Sequence, residues 1–597
     1  MPPLQPQSPT GPLPRSTHYR APLVQHKRSG GQGVGFPTHV SLSAARAPLQ
    51  KEAPSSLTAV YSSRGIGDTL DRIGGPMKAQ FAPLFAILTL TAAQQTNLGH
   101  IDFPTSGSPE ARKHFIQGVL LLHSFEYADS KEEFQAASKL EPGFAMAYWG
   151  EALTYTHAIW VEQDAAAGRA VLQRLAPTPE ARAAKAPTQR EKDYLHAVEL
   201  LYGEGDKVTR DIAYANAMDR LRKKYPDDLE AATLYAVALM GTCQHERQYP
   251  VYMQAAAVAE DVFAKNPQHP GAIHYLIHAY DDPVHAPLGL RAARVYAKVA
   301  GSASHAQHMP AHIFFALGMW DDAIDANVRS IAVADDRSKR KGLGPEVRNY
   351  HSLLWLEYAY LQEGRYDEAQ AVVADVARSG GRGLPMNRAI YELETRKPDE
   401  ALCRSDLSKG PLLNSVAVLN SCGLVAAGGG RMEDARSAFE LIQKRLRGGS
   451  GEEDTASHRP AMPMPMSGHL PSTESPQDRK TAEVMMHQLE AKLWIAEGKQ
   501  EQALQLLAQT AAQEDALVFE FGPPIPVKPA HELYGEELLA AHRPKEARAE
   551  FQRALARAPK RAQSLRGLAK AAAAAGDTDA SRRSMDDLKS FWHGEAN

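Results

Sequence analysis

Small and aromatic apolar residues recur in a fixed frame along the chain. In FIQGVLLLHSFEYADSKEEFQAASKLEP, Gly118, Phe134, Ala137 and Pro142 stand at relative spacings 0, 16, 19 and 24. Far downstream, HELYGEELLAAHRPKEARAEFQRALARAP repeats those spacings with Gly535, Phe551, Ala554 and Pro559, and adds Ala547. Looser copies carry Gly318, Trp320 and Ala323; Gly364, Tyr366 and Ala369; Gly430, Met432, Ala435 and Phe439; and Gly498 with Ala503. Ala-, Leu- and Glu-rich stretches recur along the chain, as helical proteins show. Two regions break the frame. Residues 1–76 are rich in Pro, Gly, Ser and Arg, have no acid before Glu52 and show no sustained periodicity, which predicts disorder. The stretch RLRGGSGEEDTASHRPAMPMPMSGHLPSTESPQDRK predicts a Pro/Gly/Ser-rich mobile linker over 445–481.

These units resemble the tetratricopeptide repeat (TPR), a 34-residue helix-turn-helix module. The resemblance runs from residue 111 to about 590, with insertions, and two further units end at Pro226 and Pro267. It implies that the small residues mark close helix crossings, that the aromatic fills the gap, and that proline ends the second helix. The expected fold class is therefore an all-α, TPR-type helical-repeat solenoid with a disordered N-terminal segment. Its expected parts are an upstream segment 1–76, a signal 77–93, an N-terminal array 94–444, the linker, and C-terminal repeats 482–597. The signal reading rests on MKAQFAPLFAILTLTAAQQ: a basic start, an apolar core from Phe81 to Leu90, and the small-residue site Thr91-Ala92-Ala93. That core is too short to span a bilayer. Translation is expected to start at Met77 and the mature chain near Gln94, in the periplasm or outside the cell; an Arg-rich organelle transit peptide is the alternative. The wording AMAYWGEAL, HPGAIHYLIHAYDDP, HMPAHIF and GPPIPVKPAHELYGEELL is also similar to a group of exported bacterial TPR proteins, a resemblance that implies location and no activity.

Seven histidines crowd into 44 residues, in HPGAIHYLIHAYDDPVH and SASHAQHMPAHIF. Numbered in the repeat frame, one unit begins at Pro270 and the next at Ser304, one period apart. His274 and His278 then fall at positions 5 and 9 of one first helix, and His308 and His312 at positions 5 and 9 of the next. Side chains four apart share a helix face. The resemblance implies that positions 2, 5, 9, 12 and 13 line a concave groove. Asp281 and Asp282 take positions 12 and 13, His305 and His351 take position 2 of their units, and His123 and His157 take position 13. Neighbouring first helices lie about 10 Å apart, so two HxxxH pairs can converge on one ion, with an aspartate completing the shell. Imidazole and carboxylate suit a divalent transition metal: Zn, Fe, Cu or Ni. The competing reading is a histidine-edged surface that hydrogen-bonds or packs against a peptide.

Elsewhere the groove positions hold Phe115, Val119, Trp149, Leu153, Val237 and Leu354, with Arg112 the one cation found there. That set argues against a clamp for a terminal carboxylate. It favours a protein, a hydrophobic peptide, a small apolar ligand or a buried metal. Glu532 and Glu536 at positions 5 and 9 read as solvated carboxylates, unless the array curls to bring them toward the histidines. The net charge of −3 and pI near 6.8 leave no footprint for nucleic acid. Three cysteines, Cys243, Cys403 and Cys422, allow one disulfide at most, and Cys243-Gln-His245 reads as a turn whose thiol is buried or idle. No Gly-rich phosphate loop, G-x-S-x-G elbow or HExxH occurs. Met462, Met464, Met466 and His469 read as linker. Two classes of function remain: a groove-binding scaffold able to hold a transition metal, or a metal-dependent enzyme, oxidative or hydrolytic, with Asp281, Asp282 and Tyr275 as candidate acid or base groups.

Overall fold

The computed structural model describes residues 97–243, 247–381, 383–408, 410–448, 476–519 and 521–594. The expected upstream segment and signal, His245, and the Met462–His469 stretch lie outside the described residues.

Helices follow one another as hairpins. Pro109–His123 pairs with Tyr127–Leu140, Ala145–Leu153 with Ala165–Leu175, Gln189–Leu201 with Lys207–Lys224, Leu229–Gly241 with Tyr249–Lys265, and Pro270–Tyr280 with Ala286–Val299. After a kinked first helix, Ser304–His308 and Pro310–Leu317 with Trp320–Lys341, come Tyr350–Gln362 with Tyr366–Arg378 and Leu384–Thr395 with Glu400–Cys403. Leu412–Gly428 with Met432–Arg447, Pro476–Ala496 with Gln500–Asp515, Ala530–Ala540 with Pro544–Arg557, and Ala562–Ala574 with Thr578–Lys589 complete the series. Each hairpin packs on the next, so the chain is an all-α, TPR-like solenoid. Among the described residues, no helix is long and apolar enough to cross a membrane.

Local chemistry sets the units. Ser108, Asp206, Asp228, Asn349 and Asp577 each cap a helix by accepting the N–H three residues on. The repeated Gly/Phe frame makes the crossings: a Cβ on Gly118 would stand 2.8 Å from the Phe134 ring, and one on Gly150 only 2.2 Å. Phe551 does the same against Gly535 and Gly567, at 3.0 and 2.2 Å.

The solenoid winds tightly enough to close on itself twice. The first hairpin reaches the histidine-bearing units, where Asp129 pairs with Arg337 at 2.8 Å and the Glu126 carboxylate accepts the His305 N–H at 3.1 Å. The last repeats return to the middle ones, where Trp320 Nε1 donates to the Lys560 carbonyl at 3.2 Å and Arg561 to the Tyr358 hydroxyl at 2.7 Å. The expected open channel does not form at the first hairpins. Phe115 and Trp149, expected on its wall, are wholly buried. Phe103, from the segment that precedes the first helix, covers both, with ring centroids 5.2 and 5.6 Å away.

Three further expectations change. Helices occupy both margins of the expected linker, ending at Arg447 and starting at Pro476. The array continues across it: Asn420 donates to the Met485 carbonyl at 2.7 Å, and Gly423 lies against Leu489. His157 is not on a helix, because Ala145–Leu153 stops short and His157 pairs with Glu162 in a two-residue antiparallel ladder. Glu532 is not solvated; it is fully buried, paired with Arg561 of the next hairpin at 2.8 Å and with Lys528 at 2.9 Å. Glu536 stays part-exposed on Lys528. Cys403 and Cys422 form a disulfide, and Cys243 is free and buried.

Candidate metal centre

The Pro270–Tyr280 helix is buried on every side, as a helix at the middle of a core must be when it is apolar all round. His269 caps it and Pro270 opens it. His274 and His278, one turn apart, have ring centroids 4.8 Å from each other. In the following unit Pro310 has no N–H to give, so the helix is interrupted. Met309 keeps right-handed helical angles, φ −53° and ψ −35°, and His308 and His312 meet edge to face with ring centroids 5.1 Å apart. His305 lies 4.7 Å from His274, and His351, on the Asn349-capped helix, lies 4.6 Å from His308.

Six imidazoles thereby form two adjoining triads. His274, His278 and His305 can bring one nitrogen each to within 4.8 Å of the others, and so can His308, His312 and His351. His278 and His312 also share Asp281 in such a group, with His312 Nδ1 at 3.1 Å and His278 Nδ1 at 3.6 Å from its Oδ2. Asp281 therefore stands between the triads. Burial alone would raise its carboxyl, but Arg247, at 2.5 Å, and the two imidazoles hold it well below the usual carboxylate range.

The tautomers follow from the anchors. His274 Nδ1 donates to the His123 carbonyl at 2.6 Å, which leaves Nε2 as the lone-pair atom. Asn327 spends its amide N–H on the Ala323 carbonyl, so its Oδ1 must accept from His308 Nδ1, at 2.7 Å. His312 donates Nδ1–H to Asp281. In all three rings Nδ1 is held from behind and Nε2 is left for another partner, the arrangement that orients metal-ligating histidines. His305 Nε2 lies 2.9 Å from His274 Nε2; the His274 atom has no proton, so His305 donates and its Nδ1 is bare. Buried and without a hydrogen bond are His305 Nδ1, His308 Nε2 and both nitrogens of His278. Burial first, then the neighbouring imidazoles, push His274, His305 and His308 well below the usual histidine range and His351 to about 3. Neutral rings are the form that ligates.

Aromatic rings close the centre. Phe125 lies 4.3 Å from His274, Trp355 stacks 4.7 Å from His312, and Phe521, from the loop before the Ala530–Ala540 helix, lies 4.6 Å from it. Of the residues singled out from the sequence, Asp282 turns elsewhere: it accepts the Val284 and His285 N–H groups and pairs with His285 at 2.8 Å. His157 stacks on Tyr127 at 4.1 Å, outside both triads. His123 and Tyr275 belong to a second cluster. There Glu230 holds His123 at 2.7 Å and His269 at 3.0 Å, and Tyr275 lies 3.1 Å from the other His123 nitrogen. That cluster satisfies His123 with protein groups alone, and a Cβ on Gly271 would meet His123 at 2.3 Å. Sequence reasoning missed Arg247, Glu230, Asn327, Phe125 and Phe521. His269 carried a signal, as the residue ahead of Pro270 in the histidine-rich stretch; the others sit in unremarkable local sequence.

No protein-family model matches the chain, and no curated protein matches it. Among solved structures, the human IFIT1 dimer with m7Gppp-AAAA is 11% identical over 82% of this chain and 91% of that one, with a TM-score of 0.30. The P58(IPK) TPR domain is 14% identical over 79% and 99%, with a TM-score of 0.20. Yeast Tom70 is 10% identical over 79% and 89%, with a TM-score of 0.29. The fold assignment rests on the hairpin packing itself, not on these likenesses.

Proposed function

We propose that the protein is an extracytoplasmic helical-repeat scaffold that holds a transition metal within its cluster of two adjoining histidine triads, with Asp281 between the triads. The observation that carries this reading is His278: a buried ring with neither nitrogen hydrogen-bonded, set among other imidazoles with the Asp281 carboxylate 3.6 Å from its Nδ1. Each unsatisfied buried polar atom costs about 1–3 kcal/mol. Four of them in one cluster are a heavy cost for mere packing, whereas structural metal binding returns roughly 10 kcal/mol or more. Ligands on one ion at about 2.0–2.1 Å lie about 3.3 Å apart, so closing a triad on an ion asks for small ring rotations. The donor set, six imidazoles and one carboxylate, suits Cu, Zn, Fe or Ni. The signal-like segment and the Cys403–Cys422 bond support an oxidising, extracytoplasmic compartment. A metal-dependent enzyme is the second reading, favoured by a small cavity that has Asp281 and His312 on its wall. Elemental analysis of the purified mature protein tests the metal: stoichiometric uptake, lost in both His274→Ala and His308→Ala, is expected. A folded wild-type chain that takes up no metal overturns it.

A further inference from the structure

The Cys403–Cys422 disulfide has a carboxyl group against it that its packing does not require. The Leu384–Thr395 helix brings the buried Glu392 to both sulfurs, in a cluster otherwise built around Ala389, Leu402 and Val418. A disulfide that only ties two helices together needs no polar neighbour, and burying a carboxyl among apolar groups costs stability. The cations that face Glu392 are held by other acids: Arg388 pairs with Asp399 at 2.6 Å and Arg431 with Asp434 at 3.1 Å. Burial lifts the Glu392 carboxyl to about 7, helped by the Asp399 charge and opposed by Arg431, Arg388 and the Asp399 N–H. Oε1 accepts that N–H at 3.1 Å, so the proton of the neutral acid rests on Oε2. Oε2 stands 3.5 Å from Cys422 Sγ and 3.7 Å from Cys403 Sγ. The bonded sulfurs carry no hydrogen, so the acid is the donor in that contact. The two sulfurs also differ in access. Cys403 is half-buried at the end of Glu400–Cys403, with exposed Arg404, Ser405 and Asp406 after it, whereas Cys422 is buried within Leu412–Gly428. A thiolate arriving from solvent meets Cys403 first, and Cys422 is then the leaving group. Exchange is faster when the leaving sulfur is stabilised, and a placed general acid adds about 10²–10⁴-fold.

We infer that the Cys403–Cys422 bond is a thiol–disulfide exchange site: an external dithiol reduces it by attack on Cys403, and Glu392 protonates the departing Cys422 sulfur. The attacking thiolate forms a new S–S bond to Cys403 as the Cys403–Cys422 bond breaks. The electron pair leaves on Cys422 Sγ, which takes the Oε2 proton. The second thiol of the reductant then displaces Cys403 and gives that sulfur its proton. The dithiol ends as a disulfide, both cysteines end as thiols, and Glu392 regains a proton from water. Reduction of the purified full chain by dithiothreitol, with the rate divided by the thiolate concentration, is the test. Wild type is expected to be about tenfold faster per thiolate at pH 6 than at pH 8. Glu392→Gln is expected to be flat across that range and at least tenfold slower than wild type at pH 6. Reduction through opening of the fold gives the opposite trend, because ionising Glu392 favours the opened chain as pH rises. Mere repulsion of the thiolate by ionised Glu392 leaves the variant as fast as wild type at pH 6. After an acid-quenched reaction with glutathione, mass spectrometry is expected to find the adduct on Cys403. A wild-type rate per thiolate that is level or rises from pH 6 to pH 8, a variant that matches wild type at pH 6, or an adduct on Cys422 overturns the inference. The wild-type profile and the adduct decide it even where the variant fails to fold.

Discussion

Around Phe134 and around His278 the same kind of joint, a crossing of successive hairpins, is filled with different material. At Phe134 one ring presses on two glycines, and the neighbouring group that lacks a hydrogen bond is a single indole N–H, on Trp149. At His278 the interior holds imidazoles, an ionised aspartate and an arginine, and several nitrogens lack hydrogen bonds. The first joint stabilises the fold through buried area. The second gives up stability, which an ion, on the proposal above, would offset by supplying the missing contacts. A solenoid tolerates this because each unit leans on its neighbours, so well-packed joints carry a costly one between them.

The comparison is open to direct disturbance. The largest effect is expected at the apolar joint: Phe134→Ala should cost about 3–5 kcal/mol in denaturant unfolding, with metal content per folded chain unchanged. A loss below about 1 kcal/mol would mean that the joint is not a packing centre. At the polar joint, His278→Leu should do the reverse. Metal affinity should fall by more than about 100-fold, while the metal-free protein melts higher because two unsatisfied atoms are gone. A lower melting point for the apoprotein would show His278 to be ordinary core. Asn327→Leu touches no ion but frees the His308 ring, and should weaken metal binding by about 10- to 100-fold in a competition titration; unchanged affinity would remove the tautomer argument.

The smallest effect lies away from both joints. Glu392 is buried beside the disulfide, 3.5 Å from Cys422 Sγ, and burial lifts its carboxyl to about 7. The folded chain then keeps a proton that the unfolded chain releases above about 4.5, so stability is full below that pH and falls as pH rises through 7. Glu392→Gln should match wild type near pH 4.5 and exceed it by about 1–3 kcal/mol at pH 8. Melting curves across that range check it, and parallel pH profiles would refute it.

What the sequence could disclose follows from distance along the chain. The Gly118, Phe134, Ala137 and Pro142 frame is local, so it exposed the hairpins, and the one-period offset between His274 and His308 exposed two aligned rows. Nothing local says that Glu126 reaches His305, that Arg247 grips Asp281, or that Phe521 settles on His312. Those contacts depend on how far the superhelix turns per unit, a sum of small rotations that no single motif encodes. Phe115 and Trp149, expected on an open wall, were covered by Phe103 from the segment ahead of the first helix, and Glu532 met Arg561 of the next hairpin instead of solvent. Asp282 misled for a different reason: a helix frame was extended two residues beyond the end of Pro270–Tyr280, into a turn that Asp282 itself builds.

Anomalous diffraction from crystals of the copper-loaded protein, recorded on both sides of the copper edge, reaches the central question most directly. The expected result is a peak inside the cluster, about 2.0 Å from nitrogens of the His274, His278 and His305 triad or of the His308, His312 and His351 triad. A map with ordered imidazoles and no peak among them, at a copper concentration that saturates uptake in solution, would contradict it.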